Sequence, residues 1–496
     1  MPILHPSQTD QQKRPSATDF FFRGASPAKI FYILAGIFLI FYVLQIPRQS
    51  SSADVLTFAA RSTADSPIFR YAFLDEVSNL GEPVPANYHP AHTAVLWLVY
   101  RIAPEGLKQT IVPAGFVSAL CGALAVGLIF LIALQLGIGR IPAVYTALVV
   151  GLVPSIWFHS LIGEIYVPQL AAISLFVYFA LIGRTVLSTL SLLLALLVTP
   201  FSILALPFVF LKEINRKVIQ KTFLIGSLST AAYLAVLILL DINLIDSFFT
   251  AMPDSSSLSF FIRLSRLGVF LVLNLNLGLL FLFWGLGKLW RGDRRFLFRL
   301  ALAGTPQVVF SLSLPIFVIE LGCFQVPLFW LLAFPVGIAV SGMGRRRRVL
   351  GLAALAVVIA VFIIFWKIPD RSLALDHIQA GNWLEQNVPD SIKLAAHWRT
   401  GVGIALERYN WNFQKLSNRF IISAYSDEKM LLESGEESLI IALSKGPFYS
   451  RLLAKLSISG ISIPSFEPDR SLEKSRAQKI FENSSVVLYR WQRQNP

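Results

Sequence analysis

Five carboxylates and two histidines crowd one polar stretch near the start of the chain, residues 52–101: Asp54, Asp65, Asp75, Glu76, Glu82, His89 and His92. A carboxylate beside a bilayer is costly to bury and needs a reason. Asp54 comes just after the first apolar run, near the membrane surface, where it could take a proton from an acceptor hydroxyl as a general base. It is equally well placed to cap a helix, because Ser51, Ser52 and Asp54 precede VLTFAARS and Asp is favoured at that position. Asp75 and Glu76 form the rival acidic pair; solvated loop charge is the plainer account of them. His89 and His92 are three apart, on one face of a helix that starts near Pro90. With an Asp they could bind a divalent metal, although no further ligand spacing accompanies them. Bonds to a phosphate or to the loop backbone account for them as well.

A second group sits in the turn WFHSLIGEIY, with Trp157, His159, Glu164 and Tyr166. Trp and Tyr are enriched at membrane interfaces, so an aromatic belt is the plain reading. Glu164 fits a belt poorly and could bind sugar hydroxyls. Arg263 and Arg266 fall at the outer end of an apolar run, where an arginine can clamp a lipid phosphate or snorkel to headgroups. Residues 367–496 hold no catalytic triad, Gly-rich phosphate loop or metal motif. His397, Trp398 and Arg399 carry no firmer signal, and Glu320 reads as a surface charge.

Membrane spans must position these residues. The 496 residues are 55% hydrophobic and 15% charged, whereas a soluble chain carries about 25% charge. The net charge of +14 lies mainly in short loops between apolar runs. Such loops orient a membrane protein, so nucleic acid is not an expected partner. Cys121 and Cys323 both lie in apolar runs and offer neither a disulfide framework nor a thiol metal site. Residues 29–46 form the first span, retained rather than cleaved as a signal. Lys13, Arg14 and Arg23 place the N-terminus in the cytoplasm. Residues 91–102 are too short to cross about 30 Å of hydrocarbon. They are expected as an amphipathic surface helix started by Pro90 and ended by Pro104.

Further spans are expected at 111–136, 141–160 and 165–183, then at 223–240, 267–289, 300–319, 322–342 and 349–366. Residues 187–211, basic at both ends and broken at Pro200, are expected to go out and back. This gives about 11 spans, with every inner loop basic and the C-terminus outside. Read as a single span, 187–211 would put Arg345, Arg346, Arg347 and Arg348 outside, against that rule.

From residue 367 the composition changes. An amphipathic helix over 371–387 stops before Pro389. Strands are expected at 392–396, 420–424, 439–443, 458–463 and 486–489, with helices at 448–456 and 472–481. The alternation predicts an α/β domain.

Three features together resemble the GT-C superfamily of membrane glycosyltransferases, most nearly its protein O-mannosyltransferase-like branch. They are Asp54 in SADVLTFAAR after the first span, the histidine-proline start of NYHPAHTAVLWLVYRIAP, and the Trp, Glu-Ile-Tyr turn of PSIWFHSLIGEIYVPQLA. The likeness covers residues 30–210. It implies transfer of a hexosyl or pentosyl group from a polyprenyl-phosphate sugar at the outer face, usually with inversion, to a lipid, glycan or protein acceptor. It also implies that Asp54 is the base. Asp54-Val55 stands where the family has Asp-Glu, and His89-Pro90-Ala91 where it has His-Pro-Pro, while Asp75-Glu76 supplies a true acidic pair and remains the alternative.

The expected architecture is a polytopic α-helical, GT-C-like membrane protein. Residues 1–27 form a cytoplasmic tail and 28–366 a catalytic membrane domain with the outer loop 47–110. Residues 367–496 form an extracytoplasmic α/β domain. Beside the base Asp54, with Asp75 and Glu76 as its alternative, the expected substrate contacts are His89, His92, His159, Glu164, Tyr166, Arg263 and Arg266. No metal ligand set is assigned, and a divalent metal is the one cofactor the residues admit. Membrane lipids are partners, and a bacterial inner membrane is the expected location. The competing class is a transporter or flippase for a lipid-linked glycan. Coupled transporters place ionisable groups near the midplane, whereas these spans are nearly free of charge at their centres.

Overall fold

The computed structural model describes residues 25–50, 55–56, 59, 89–240, 260–275, 278–313, 323–341, 343, 357, 368–396, 398–411, 419–422, 438–444 and 477–492. They divide into two compact units. The first holds described residues of 1–46, 115–239 and 253–362, the second those of 47–114, 240–252 and 363–496.

The first unit is helical. α1 (Pro27–Val43) starts at Ser26, whose hydroxyl accepts from the Lys29 amide at 3.2 Å, with Pro27 in the first helical position. Ile30, Leu34, Phe38 and Tyr42, four apart, form its buried stripe, while Tyr32, Ile37 and Ile40 are exposed. The exposed apolar side is the face a lipid would cover. Tyr42 donates to the carbonyl of Gly151 at 2.8 Å.

In the second unit, α2 (Pro90–Ile102) starts at Pro90 as expected and stops before Pro104, and α3 (Glu105–Lys108) follows. The first unit continues with α4 (Val112–Gln135), α5 (Arg140–Leu152), α6 (Pro154–Ile162), α7 (Tyr166–Leu181) and α8 (Thr185–Val198). A 3-10 segment, Pro200–Leu211, comes next. Then follow α9 (Arg216–Leu239), α10 (Phe260–Leu275), α11 (Gly278–Gly292), α12 (Arg294–Ser313), a short 3-10 turn Cys323–Gln325 and α13 (Val326–Ser341).

Among the described residues four of these helices are long and apolar enough to cross a membrane by themselves, and six spans result if each of two bent helix pairs counts as one. The span expected over 141–160 is one of these bent pairs: α5 and α6 meet at 58°. Pro154 has no N–H to continue the ladder, and it drives Val153 to φ −61°, ψ 123°. Of the span expected over 267–289, the described residues form α10 up to Leu275 and α11 from Gly278, and 276–277 lie outside the described residues. The Asn274 amide oxygen accepts from the Ser155 N–H at 2.7 Å. The break expected at Pro200 is present, because α8 ends on the extended Thr199. The span expected at 349–366 lies, apart from Val357, outside the described residues.

α13 is packed closely enough against α11 that only glycine fits at Gly285, where a Cβ would lie 1.9 Å from the Pro335 carbonyl oxygen. Small residues at such crossings let membrane helices approach. Gly285→Ala forces backbone apart and is expected to cost about 3 kcal/mol, read as a lower Tm in detergent. Gly287→Ala, on the same helix with open space around it, is expected to leave Tm unchanged. Equal Tm for both variants would contradict this packing.

The second unit also contains α14 (Ile368–Asn387), β1 (Lys393–Ala396), α15 (Trp398–Arg408), β2 (Phe420–Ile422), β3 (Ser438–Ser444), β4 (Gln478–Glu482) and β5 (Val486–Gln492). The sheet order is β2-β1-β3-β5-β4, with β1 parallel to β2 and β3, and β5 antiparallel to β3 and β4. Cross-strand partners Leu439 with Trp491, Ile441 with Tyr489, and Leu443 with Val487 put alternate residues on one buried face. The helix expected over 472–481 is corrected at its end, where Gln478–Glu482 pairs with β5 and tertiary pairing overrides the helical pattern of QKIFE; 472–476 lie outside the described residues. α15 is an addition. The segments 448–456 and 458–463 lie outside the described residues.

His377 in α14 is 2% exposed, and neither ring nitrogen has a partner among the described residues. Burial pushes its pKa down to about 4, against the pull of Asp376. Unfolded, the imidazole takes a proton near pH 6.5; folded, it stays neutral until about pH 4. Stability is therefore whole above pH 6.5 and falls as the pH drops from 6.5 to 4, by about 3 kcal/mol in all. Unfolding of the wild type against His377→Leu between pH 7 and pH 4.5 checks it. The variant is expected to show a shallower acid loss, and parallel curves would contradict the account.

Candidate functional site

The turn from α6 to α7 gathers three of the expected site residues. α6 ends on Gly163, whose φ of +84° is the left-handed conformation that favours glycine at a helix C-terminus. The chain then turns through Glu164 and Ile165 into α7, whose first residue is Tyr166. His159 Nδ1 lies 3.3 Å from Glu164 Oε2, with the two side chains 0% and 3% exposed. The Tyr166 ring meets the His159 ring edge-on at 4.9 Å, and Phe324 meets Tyr166 at 5.4 Å. From α4, Ser118 donates to the Glu164 carbonyl at 3.3 Å.

This burial overturns the belt reading of the turn, since Trp157, His159, Glu164 and Tyr166 are all interior. A carboxylate taken out of water needs a charged or hydrogen-bonding partner, and His159 supplies one. The arrangement provides a fixed carboxylate and an imidazole in apolar surroundings, a pairing that can bind hydroxyls or move a proton. The aromatic series runs on from Phe324 to Phe201 and Phe310, with centroids 6.0 and 6.2 Å away. Ser118 and Phe324 had not been picked out from the sequence, which carries no local signal for either contact.

The other expected residues stand elsewhere. His92 is buried on one face of α2 with Thr93, Leu96 and Tyr100, while His89 occupies its N-cap position and is half-buried. His89 O accepts from the Thr93 hydroxyl at 3.0 Å. Arg263, in α10, donates to the Leu312 carbonyl at 3.2 Å. The Arg266 side chain, Asp54, Asp75, Glu76 and Glu320 lie outside the described residues. Close behind Asp54 in the chain, Val55, Leu56 and Ala59 are helical and buried. Among the described residues no three His, Cys, Asp or Glu side chains group as a metal site.

Within the second unit, the segment ahead of Asp54 is tied to the end of α15. Gln49 Nε2 donates to Glu407 Oε1 at 3.5 Å, Trp411 Nε1 donates to the same oxygen at 3.3 Å, and Gln109 Nε2 donates to Asn410 Oδ1 at 3.4 Å. The Ile111 amide donates to the Arg48 carbonyl at 3.1 Å. Burial raises the Glu407 pKa, opposed by its bond from Trp411. Asn410 and Trp411 have φ of +50° and +56°, a conformation that costs a bulky residue like Trp and persists where surrounding contacts impose it.

No protein-family model matches the chain, and no curated protein sequence matches it. Among solved structures it is similar to ArnT from Cupriavidus metallidurans. The crystal structure bound to undecaprenyl phosphate matches with a TM-score of 0.58 at 14% identity, and the apo structure with 0.58 at 13%. Both matches cover 96% of this chain and 98% of that one. It is also similar to the apo Archaeoglobus fulgidus oligosaccharyltransferase, with a TM-score of 0.50 at 12% identity over 95% of this chain and 75% of that one. At such identities the likeness is one of fold, shared with ArnT over nearly the whole chain. It does not single out the O-mannosyltransferase-like branch.

Proposed function

We propose, from the fold shared with ArnT and the archaeal oligosaccharyltransferase, that this protein is a glycosyltransferase that uses a polyprenyl-phosphate-linked sugar. The observation that carries the reading is the likeness over 96% of the chain to a protein crystallised with undecaprenyl phosphate. The buried His159 and Glu164 pair supports it, because dry ionisable groups in a membrane bundle mark functional sites by default.

In the proposed reaction Asp54 takes the proton of an acceptor hydroxyl, and the oxygen attacks the anomeric carbon. The bond from that carbon to the phosphate oxygen breaks, and its electron pair leaves with polyprenyl phosphate. A phosphate leaving group is already stable as an anion, so the step requires no general acid. Asp75 and Glu76 are the alternative base. His159, Glu164 and Tyr166 contact the sugar, His89 and His92 bond phosphate or the loop, and Arg263 and Arg266 balance the departing charge.

The proposal extends to topology: about 11 spans, basic loops inside, and the chemistry and residues 367–496 on the extracytoplasmic face. It assigns residues 1–27 to the cytoplasm and 28–366 to the catalytic membrane domain with its outer loop 47–110. A bacterial inner membrane, an O-mannosyltransferase-like branch, a hexosyl or pentosyl donor and a lipid, glycan or protein acceptor complete it.

Proteoliposomes loaded with radiolabelled polyprenyl-phosphate sugars test the reading against flipping of lipid-linked glycan. Transfer of label to an added acceptor is the expected result. Movement of intact lipid-linked sugar across the bilayer, with no transfer, would replace the enzyme by a flippase.

A further inference from the structure

The turn joining α11 and α12 concentrates charge that nothing in the proposed chemistry uses. Lys288, Arg291, Arg294, Arg295 and Arg299 fall within twelve residues, with Asp293 the one carboxylate among them. Asp293 is engaged in the turn, where its side chain accepts from the Phe296 amide at 2.9 Å and its own amide donates to the Leu289 carbonyl at 2.7 Å. None of the five cations forms an ion pair among the described residues. Three lie over aromatic rings instead: Lys288 over Trp284 at 5.4 Å, Arg294 over Trp290 at 5.0 Å and Arg299 over Phe296 at 5.8 Å. Trp284 and Trp290 are 42% and 58% exposed.

Each helix carries these cations at the head of an exposed apolar stripe. On α11 the stripe runs Leu280, Trp284, Lys288, Arg291, at helical spacing, and changes from apolar to cationic in the last turns. On α12 it runs from Arg295 through Phe298 and Leu302 to Val309. Orientation in the membrane needs positive charge near the loop, on any face. It does not need the charge aligned with the lipid-facing stripe, or stacked on exposed tryptophan. Nor does helix stability explain Arg294 and Arg295, since a cation in the first turn of a helix is disfavoured by the helix dipole.

We propose that this turn binds an anionic phospholipid, its phosphate among Arg291, Arg294 and Arg295 and its acyl chains along the two stripes. Charge complementarity selects an anionic headgroup over a zwitterionic one, and the tryptophans mark the boundary between headgroup and chain. The inference needs only that α11 and α12 lie in a membrane, and it stands apart from the transfer reaction.

Quenching of tryptophan fluorescence by brominated lipids tests it on the full-length protein in nanodiscs. Brominated phosphatidylglycerol is expected to quench beyond its mole fraction, and brominated phosphatidylcholine is not. Trp284→Phe with Trp290→Phe is expected to remove that excess by removing the reporters. Arg294→Gln with Arg295→Gln is expected to weaken phosphatidylglycerol binding about fivefold per cation. Arg216→Gln with Lys217→Gln, equal in charge and placed on α9, is expected to keep it. Quenching that follows mole fraction whatever the headgroup would overturn the proposal. So would an equal loss in the α9 control, which would reduce the effect to net charge. Displacement of the brominated lipid by trace polyprenyl phosphate would also overturn it, by making the turn a carrier-lipid site. Unchanged circular dichroism and Tm in phosphatidylcholine certify that each variant is folded.

Discussion

Asp54→Asn is expected to slow sugar transfer by about 10²- to 10⁴-fold, the range that follows loss of a general base, with the donor KM little changed. The substitution separates the two roles the sequence leaves open. Asn caps a helix about as well as Asp, so a capping role survives the change, whereas an amide cannot take the acceptor proton. Val55, Leu56 and Ala59 keep their buried positions in either variant, so circular dichroism and Tm should match the wild type. Asp75→Asn and Glu76→Gln are expected to leave the rate within a few fold. If either of these abolishes transfer while Asp54→Asn does not, the base moves to the pair at 75 and 76. Full activity in Asp54→Asn would reduce that residue to a cap.

The second large effect is expected at the His159 and Glu164 pair. Removing one partner takes away a close polar contact of the other, buried ionisable group, a loss expected to cost on the order of 3 kcal/mol. His159→Leu and Glu164→Leu should each lower Tm sharply. The double variant, apolar on both sides, should recover much of that stability, because two apolar groups replace a pair whose desolvation was costly. If the pair also contacts the sugar, transfer stays lost in the double variant although Tm returns. Glu164→Gln, which keeps the shape and loses the charge, is expected to lower kcat/KM about tenfold to hundredfold, the loss that follows weakening of a charge-assisted hydrogen bond. Recovery of transfer along with Tm in the double variant would make the pair purely structural.

Local chemistry in the sequence located several of these features. Pro90 and Pro104 bounded α2, Pro200 marked the break after α8, and the short apolar run 439–443 marked β3. His159, Glu164 and Tyr166 could be grouped because one turn holds all three within eight residues. What failed depended on distance or on competition between signals. Pro154 sits inside an apolar run that reads as one span, so its bend was hidden by hydropathy. QKIFE has a helical pattern, and only its pairing with β5 makes it a strand. Ser118 and Phe324 reach the turn from about 46 and 158 residues away, and contacts of that separation leave no periodicity to read. Glu407 and Gln49, 358 residues apart, were missed for the same reason. The acidic residues at 54, 75 and 76 were legible as chemistry from the outset, and their choice of role rests on the variants above.

The central claim is that the bond between sugar and lipid phosphate breaks on this protein. The most direct measurement is release of free polyprenyl phosphate from a purified polyprenyl-phosphate sugar, followed by chromatography beside transfer of the labelled sugar. The account predicts free polyprenyl phosphate in one-to-one proportion to transferred sugar with the wild type, and both products formed about 10²- to 10⁴-fold more slowly with Asp54→Asn. Donor lipid recovered intact with every sugar and acceptor offered, from protein that is folded in a bilayer, would contradict it.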